Sequence, residues 1–321
     1  MCSSSHRPRD RRVGVVFDSI ARGFRSSKHV ESAALRLCSP LVAARSGYRC
    51  FVPWYLPVAS PPALDRYLAC SWTAEPTGRH RLVPDACIDM LWISNGAIWV
   101  CGPETTAWDF ELAAGSSAVG VRFLPGVGPA LLGISAGTIT DLRVPLRDAV
   151  GRDAEDQLRA AIEHAPDADH RRRVLERFVE SLVARRAAES QRDLEFAERV
   201  RNVLASTPRA NAAHLAGQLD MTVRQLHRRC LNAFGYGPST LARLLRLQRF
   251  LALVETCGYH RRSLARLAIE AGYSDQPHLA RDCRAITGLA PTSFLNGYFP
   301  TFPDMSDPYK TAEAFAATMA V

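Results

Sequence analysis

At 321 residues, 47% of them hydrophobic, the chain is long enough for two domains with appendages and rich enough for real cores. No apolar run reaches membrane-spanning length and no charged-then-apolar leader opens it, which argues against a membrane protein and predicts a cytoplasmic one; the nine Cys, scattered and without a CxxC pair, argue against a disulfide framework or a zinc knuckle. The formal charge of +8 is uneven: residues 1–50 carry 10 basic and 3 acidic side chains, 51–198 carry 15 and 21, 199–297 carry 14 and 5, and 298–321 carry 1 and 3.

Residues 1–50 are Arg- and Ser-rich with little periodicity, which predicts a disordered basic leader, with a DNA-touching arm as the functional alternative. Residues 51–150 read as β-rich. Tyr67 to Trp72 is a strand candidate, and the alternation through Ile88 and Met90 predicts a half-buried strand from Cys87 onward. Asn95-Gly96 predicts a hairpin between Leu91-Trp92-Ile93 and Ile98-Trp99-Val100. Ser117 to Leu124 is a further strand, ended by Pro125-Gly126, and a short helix is expected near Pro129 to Leu132. Short strands separated by regular turn signals predict a compact barrel or sandwich, taken here as a regulatory or sensor domain.

Two groups in this region invite a functional reading. Trp72, Trp92, Trp99, Trp108 and Phe110 fit a core or a dimer interface, or alternatively the wall of a small-molecule pocket. Asp85, Cys87 and Asp89 share a strand face near His80. A solvated face or capping carboxylates explain them better than a metal, so no metal, cofactor or catalytic constellation is assigned.

Residues 151–194 are expected to be a helical connector. Leu158, Ile162, Val174, Phe178, Leu182 and Leu194 supply apolar points, and Ala165-Pro166-Asp167 splits the stretch into two helices. The connector either packs between domains or carries a dimer contact. A strongly basic all-α domain is expected at 195–297, followed by a flexible tail at 298–321. The overall fold class is therefore α+β.

Within the basic domain a helix, a turn and a helix occur twice. Leu264, Leu267, Ala268 and Ala271 lie on one helical face, and Gly272 ends that helix. Ser274 and Asp275 can cap the next helix, with Pro277 in its first turn and Leu279, Cys283 and Ile286 as its apolar stripe. An offset of 53 places Leu226 on Leu279, Cys230 on Cys283, Gly235 on Gly288 and Pro238 on Pro291. Upstream the offset is 52, which sets Leu215-Ala216 on Leu267-Ala268 and Thr222 on Ser274, with one extra residue in the second turn. A long helix from Pro238 to Phe250 is expected to join the copies, with Arg243, Arg246 and Arg249 projecting.

The phrases GYSDQPHLARDCRAITGLAP and GYGPSTLARLLRLQRF resemble the second helix-turn-helix signature and the mid-module junction of the AraC/XylS family of bacterial transcription regulators. The resemblance covers about residues 195–297. Cys230 and Cys283 depart from it, standing where the family most often has Phe. The phrases LVPDACIDMLW, VGVRFLPGVGPALLG and ITDLRVPL are similar to an uncharacterised domain found ahead of such modules, and that likeness implies a cupin-like β fold.

The resemblance implies a sequence-specific DNA-binding transcription regulator rather than an enzyme. Its two recognition helices would read successive major-groove segments about 10 base pairs apart. Base or phosphate contacts are expected at Thr222, Arg224, Gln225, His227 and Arg228 in the first copy, and at Ser274, Gln276, His278 and Arg281 in the second. Arg246 on the joining helix completes the set. Double-stranded DNA is the expected partner. RNA polymerase, a small-molecule effector and a second copy of the chain are further candidates, and the expected location is the bacterial cytoplasm, on the nucleoid. The rival readings are an enzymatic N-terminal domain targeted by the module, and a ligand-free architectural protein.

Overall fold

Short alternating segments with turn residues between them can only bury one side by pairing, and the first half of the chain does so as a sheet. The computed structural model describes residues 54–76, 78–257 and 263–298, so the expected leader and tail lie outside the described residues. The strands are β1 (Tyr55–Val58), β2 (Leu68–Ala74), β3 (Arg79–Leu82), β4 (Ile88–Ile93), β5 (Ile98–Cys101), β6 (Trp108–Glu111), β7 (Ala118–Phe123) and β8 (Arg143–Pro145). Six of them form an antiparallel sheet in the order β1-β2-β7-β4-β5-β8, and β3 pairs with β6 separately. The large sheet is open, with β1 and β8 as its edges, so it is not a closed barrel. The hairpin expected at Asn95-Gly96 is present: Gly96 takes φ 85°, and Asn95 Oδ1 accepts the Ala97 N–H at 3.0 Å.

Period-two alternation gives the sheet two faces. Ile88, Met90 and Trp92 point with Ile98, Val100, Val119, Val121 and Phe123 into a core covered by helices. Those helices are α1 (Gly128–Leu132), α2 (Ala136–Ile139), α3 (Arg147–Val150), α4 (Arg152–Glu163) and α5 (Ala168–Arg186). The expected break at Pro166 separates α4 from α5, where Asp167 caps α5 by accepting the His170 N–H at 2.8 Å. Helix α5 packs directly against the sheet and α4 packs on α5, so that Leu158, Ile162, Leu175, Val179 and Leu182 all join this core. The opposite face holds Tyr55, Cys70, Trp72, Ala74 and Ala118. There Trp72 lies flat on Gly120, so close that a Cβ on that residue would come within 2.3 Å of the indole.

The second half is helical: α6 (Gln191–Ser206), α7 (Ala212–Gln218), α8 (Val223–Phe234), α9 (Pro238–Cys257), α10 (Leu264–Ala271), α11 (Gln276–Thr287) and α12 (Pro291–Tyr298). Helix α6 runs across the boundary expected at 194/195, and the joining helix α9 continues past Phe250 to Cys257. One core serves both repeats. Phe196, Leu226, Phe234, Leu241, Leu244, Phe250, Leu267, Leu279, Phe294 and Leu295 all belong to it. Val83 and Ala86, which precede β4 in the sheet half, are buried in that same core. The two halves therefore share apolar surface as well as being joined by a linker.

Candidate nucleic-acid interface

The first helix-turn-helix consists of α7 and α8. Asn211 caps α7 by accepting the His214 N–H at 2.8 Å. Asp220, at φ 55°, turns the chain, and Thr222 caps α8. Thr222 Oγ1 accepts the Gln225 N–H at 3.2 Å while Gln225 Oε1 accepts the Thr222 N–H at 2.9 Å, a reciprocal capping box. Gln225 is therefore partly engaged by the helix start that it completes.

The second unit, α10 and α11, repeats this plan with one change. Ser263 caps α10, and Gly272, at φ 101°, stands where the first unit has Asp220. The Met221 N–H donates to the Ala216 carbonyl at 3.0 Å, and the Tyr273 N–H donates to the Ala268 carbonyl at 2.9 Å, so the offset is still 52 at Tyr273. The cap of α11 is Asp275, which accepts the His278 N–H at 2.6 Å, and its offset from Thr222 is 53. Ser274 is thus the inserted residue. The expected match of Thr222 with Ser274 is corrected to Thr222 with Asp275. Asp275 has the extended backbone a cap requires, and its carboxylate is the stronger acceptor at a helix N-terminus.

Both recognition helices end on left-handed glycines, Gly235 at φ 78° and Gly288 at φ 76°. Each buries one stripe: Leu226, Cys230 and Ala233 in α8, and Leu279, Cys283 and Ile286 in α11. The two cysteines are core residues. Burial pushes the Cys230 thiol up to about 12 and raises that of Cys283, which keeps both neutral and apolar. The other side of α8 exposes Arg224, Gln225, His227 and Arg228 beside the exposed cap Thr222. The other side of α11 exposes Gln276 and Arg281, with Ser274 exposed in the turn before it. These residues cluster at the N-terminal halves of their helices, where free N–H groups and the helix dipole favour an anion.

Two expected contact residues are placed otherwise. Arg246 does not project; its side chain keeps only 11% of its exposure. Its Nε donates to the Pro208 carbonyl at 3.2 Å, Nη1 lies 3.3 Å from His278 Nε2 and 3.7 Å from Asp282 Oδ2, and the guanidinium faces the Tyr273 ring. Position 246 falls on the α9 face that packs against α11, so the arginine turns inward toward the Asp282 carboxylate. Burial raises the Asp282 carboxyl above its usual range, against the pull of His278, Arg243 and Arg246. His278 is drawn into the same cluster and lies edge-on to Tyr273 at 5.1 Å.

The candidate groups in the sheet half have structural partners. Asp85 and Asp89 hold Arg122: Nη1 is 2.9 Å from Asp85 Oδ2, and Nε and Nη2 are 2.9 and 2.7 Å from the two Asp89 oxygens. Burial pushes the Cys87 thiol well up. Among the described residues no group of three metal-binding side chains is found. Of the five aromatics, Trp108 and Phe110 pack together, with ring centroids 5.9 Å apart. Trp72 and Trp92 are buried on opposite faces of the sheet, while Trp108 lies beneath the Arg143 guanidinium at 3.8 Å.

Two exposed arginine-bearing recognition helices on a shared core define a double helix-turn-helix protein of the DNA-binding class. Residues 215–297 match the family described as "Helix-turn-helix domain", and residues 57–145 match "Domain of unknown function (DUF6597)". The chain carries an AraC-type helix-turn-helix domain at its C-terminal end behind an N-terminal domain, and is a DNA-binding transcriptional regulator. No curated protein matches it significantly. Among solved structures it is similar to ToxT from Vibrio cholerae O395, at 13% identity and a TM-score of 0.40, covering 72% of this chain and 97% of that one. Wild-type ToxT from strain SCE256 with an unsaturated fatty acid bound matches at 12% and 0.40, covering 79% and 99%. Among the described residues no helix is long and apolar enough to cross a membrane.

Proposed function

We propose that α8 and α11 read two successive major-groove segments of one DNA duplex, so that the protein binds specific sequences. The observation that carries this reading is the pair of exposed N-terminal faces, Arg224 and Arg228 on one helix and Gln276 and Arg281 on the other, set on a common core. Arg suits a bidentate contact with guanine, and Gln suits adenine. The excess of basic over acidic residues at 199–297 supplies the sequence-independent attraction to phosphate. Thr222 and Ser274, exposed at the helix starts, are placed for phosphate, whereas Arg246 and His278 support the reading surface from behind.

The N-terminal half is read as regulatory, not enzymatic. Its carboxylates at 85 and 89 are committed to Arg122 and its Cys87 thiol is kept protonated, which leaves those groups without a catalytic task. A small-molecule effector, RNA polymerase and a second copy of the chain are the partners this role calls for. Selection of duplexes from a random-sequence pool by the full chain, followed by gel shift over a salt series, tests the reading. The expected result is an enriched sequence in two blocks whose affinity falls steeply with salt. Absence of any enriched sequence would overturn it.

A further inference from the structure

One short segment of the sheet half touches both reading units. The carbonyl of Glu104 accepts the Tyr236 hydroxyl at 2.7 Å, and the N–H of Ala107 donates to the Ile286 carbonyl at 2.7 Å. Tyr236 directly follows Gly235 at the end of α8, and Ile286 lies in the last turn of α11. Two more donors from the same half reach the same helix ends. The Thr140 hydroxyl, which donates to the Ala136 carbonyl at 2.9 Å, also lies 3.3 Å from the Gly235 carbonyl, and Arg81 Nη2 donates to the Thr287 carbonyl at 2.6 Å. The last carbonyls of a helix have no partner within it, so the bonds from Ala107 and Arg81 complete the C-terminal end of α11, while the Tyr236 hydroxyl anchors the chain just past the end of α8.

The segment is itself braced. The N–H and the hydroxyl of Thr105 each lie 2.7 Å from the Asp141 carboxylate, and the Asp141 N–H donates to the Pro103 carbonyl at 3.0 Å. Glu104 pairs with Arg143, whose guanidinium lies over Trp108. From Glu104 to Ala107 the chain can span at most about 10 Å and bends at Thr105 and Thr106, a short braced tie between two helix ends. The two units are also joined through α9, which packs against α10 and α11 on one side and α7 and α8 on the other. The units also meet directly: their apolar residues share one core, and Arg209, just before α7, donates to the Tyr273 carbonyl at 3.1 Å. The Glu104–Ala107 segment adds a separate tie at the C-terminal ends of the two recognition helices.

We infer that the Glu104–Ala107 segment sets the separation and relative rotation of α8 and α11, and therefore the half-site spacing the protein accepts. This rests on the DNA-reading role proposed above. Each added base pair turns the second groove segment by about 34° away from the first, so a rigidly tied pair of helices rejects it, whereas a pivoting pair follows it.

The test uses the full chain and the duplex it selects from a random pool, together with copies carrying one or two base pairs added or removed between the two blocks. Wild type should lose about ten-fold in affinity for each single change of spacing. Tyr236→Phe, which removes only the hydroxyl, and Tyr236→Phe with Arg81→Met should bind the whole series within about three-fold, with the base preferences inside each block unchanged. Should Tyr236→Phe not fold, Arg81→Met alone carries the same expectation. A spacing profile that stays as sharp in these variants while all affinities fall together would overturn the inference and leave the DNA-reading role standing. A wild-type chain that selects no sequence would remove both.

Discussion

Arg246 Nη1 and His278 Nε2 lie 3.3 Å apart, and the contact joins the helix between the two units to the recognition helix of the second. An arginine turned inward at this point is expected to act on the protein and only indirectly on DNA. Arg246→Ala should destabilise the fold by about 1–3 kcal/mol, because it removes one of the cations around the buried Asp282 carboxylate and the bond to the Pro208 carbonyl. Urea unfolding checks this. The slope of affinity against salt should stay as in wild type, since no phosphate contact is lost.

Arg228→Ala should behave in the opposite way. Its side chain is exposed on α8, so the melting temperature should hardly change. The salt slope should fall by about 1 if the arginine meets a phosphate. A gel-shift series at several salt concentrations distinguishes the two arginines.

Arg224→Ala and Gln276→Ala should relax base preference in different blocks of the selected sequence. Each residue is exposed in the first turn of its own recognition helix. The cost should be about 1–3 kcal/mol at the positions each reads. Repeating the selection with each variant checks this, and altered preference at the same base pairs in both would contradict it.

Stability should fall as pH rises through the range set by Glu104. Burial, reinforced by Asp141, pushes its carboxyl from an ordinary 4.5 up to about 7, despite the neighbouring Arg143. A group with a raised folded pKa binds its proton more tightly in the native state. Its contribution is therefore complete below about 4.5 and is lost as pH climbs through about 7. Melting temperatures across that window should decline in wild type, and the decline should be shallower in Glu104→Gln, which has no proton to lose.

Gly120→Ala tests the packing of the sheet. The new methyl would meet the Trp72 indole, which also donates to Asp89 Oδ1 at 3.4 Å and so is held on two sides. A loss of about 1–3 kcal/mol is expected from overpacking. Calorimetry should show a lower melting temperature with an unchanged sheet signal in circular dichroism.

Much of this was legible in the sequence because the signals were local. Gly235, Gly272 and Gly288 mark helix ends by the left-handed backbone they allow, and Leu226/Cys230 and Leu279/Cys283 mark buried stripes by their spacing. The Asn95-Gly96 hairpin was readable for the same reason. The single-residue insertion was detectable, but its position was not, since Ser274 and Asp275 are both good caps and only the backbone distinguishes them. The role of Arg246 was out of reach. Nothing in its own neighbourhood announces Asp282, which lies 36 positions away and is brought near by packing. The bonds from Glu104, Ala107 and Arg81 to the helix ends are equally silent, because two of them use backbone groups that every residue possesses. The reading of the aromatic residues as core holds for Trp72 and Trp92, but that they lie on opposite faces of one sheet shows only in the strand pairing.

The burial of Val83 and Ala86 among the helices of the second half bears on how this protein could be taken apart. A reading module cut out here and fused behind a different regulatory domain would carry an uncovered greasy notch where those two side chains had been. A recipient domain would have to bring its own small apolar pair to the same place. Exchange of parts between such proteins should therefore succeed along lines of matched contact surface, with the choice of cut site in the chain a secondary matter.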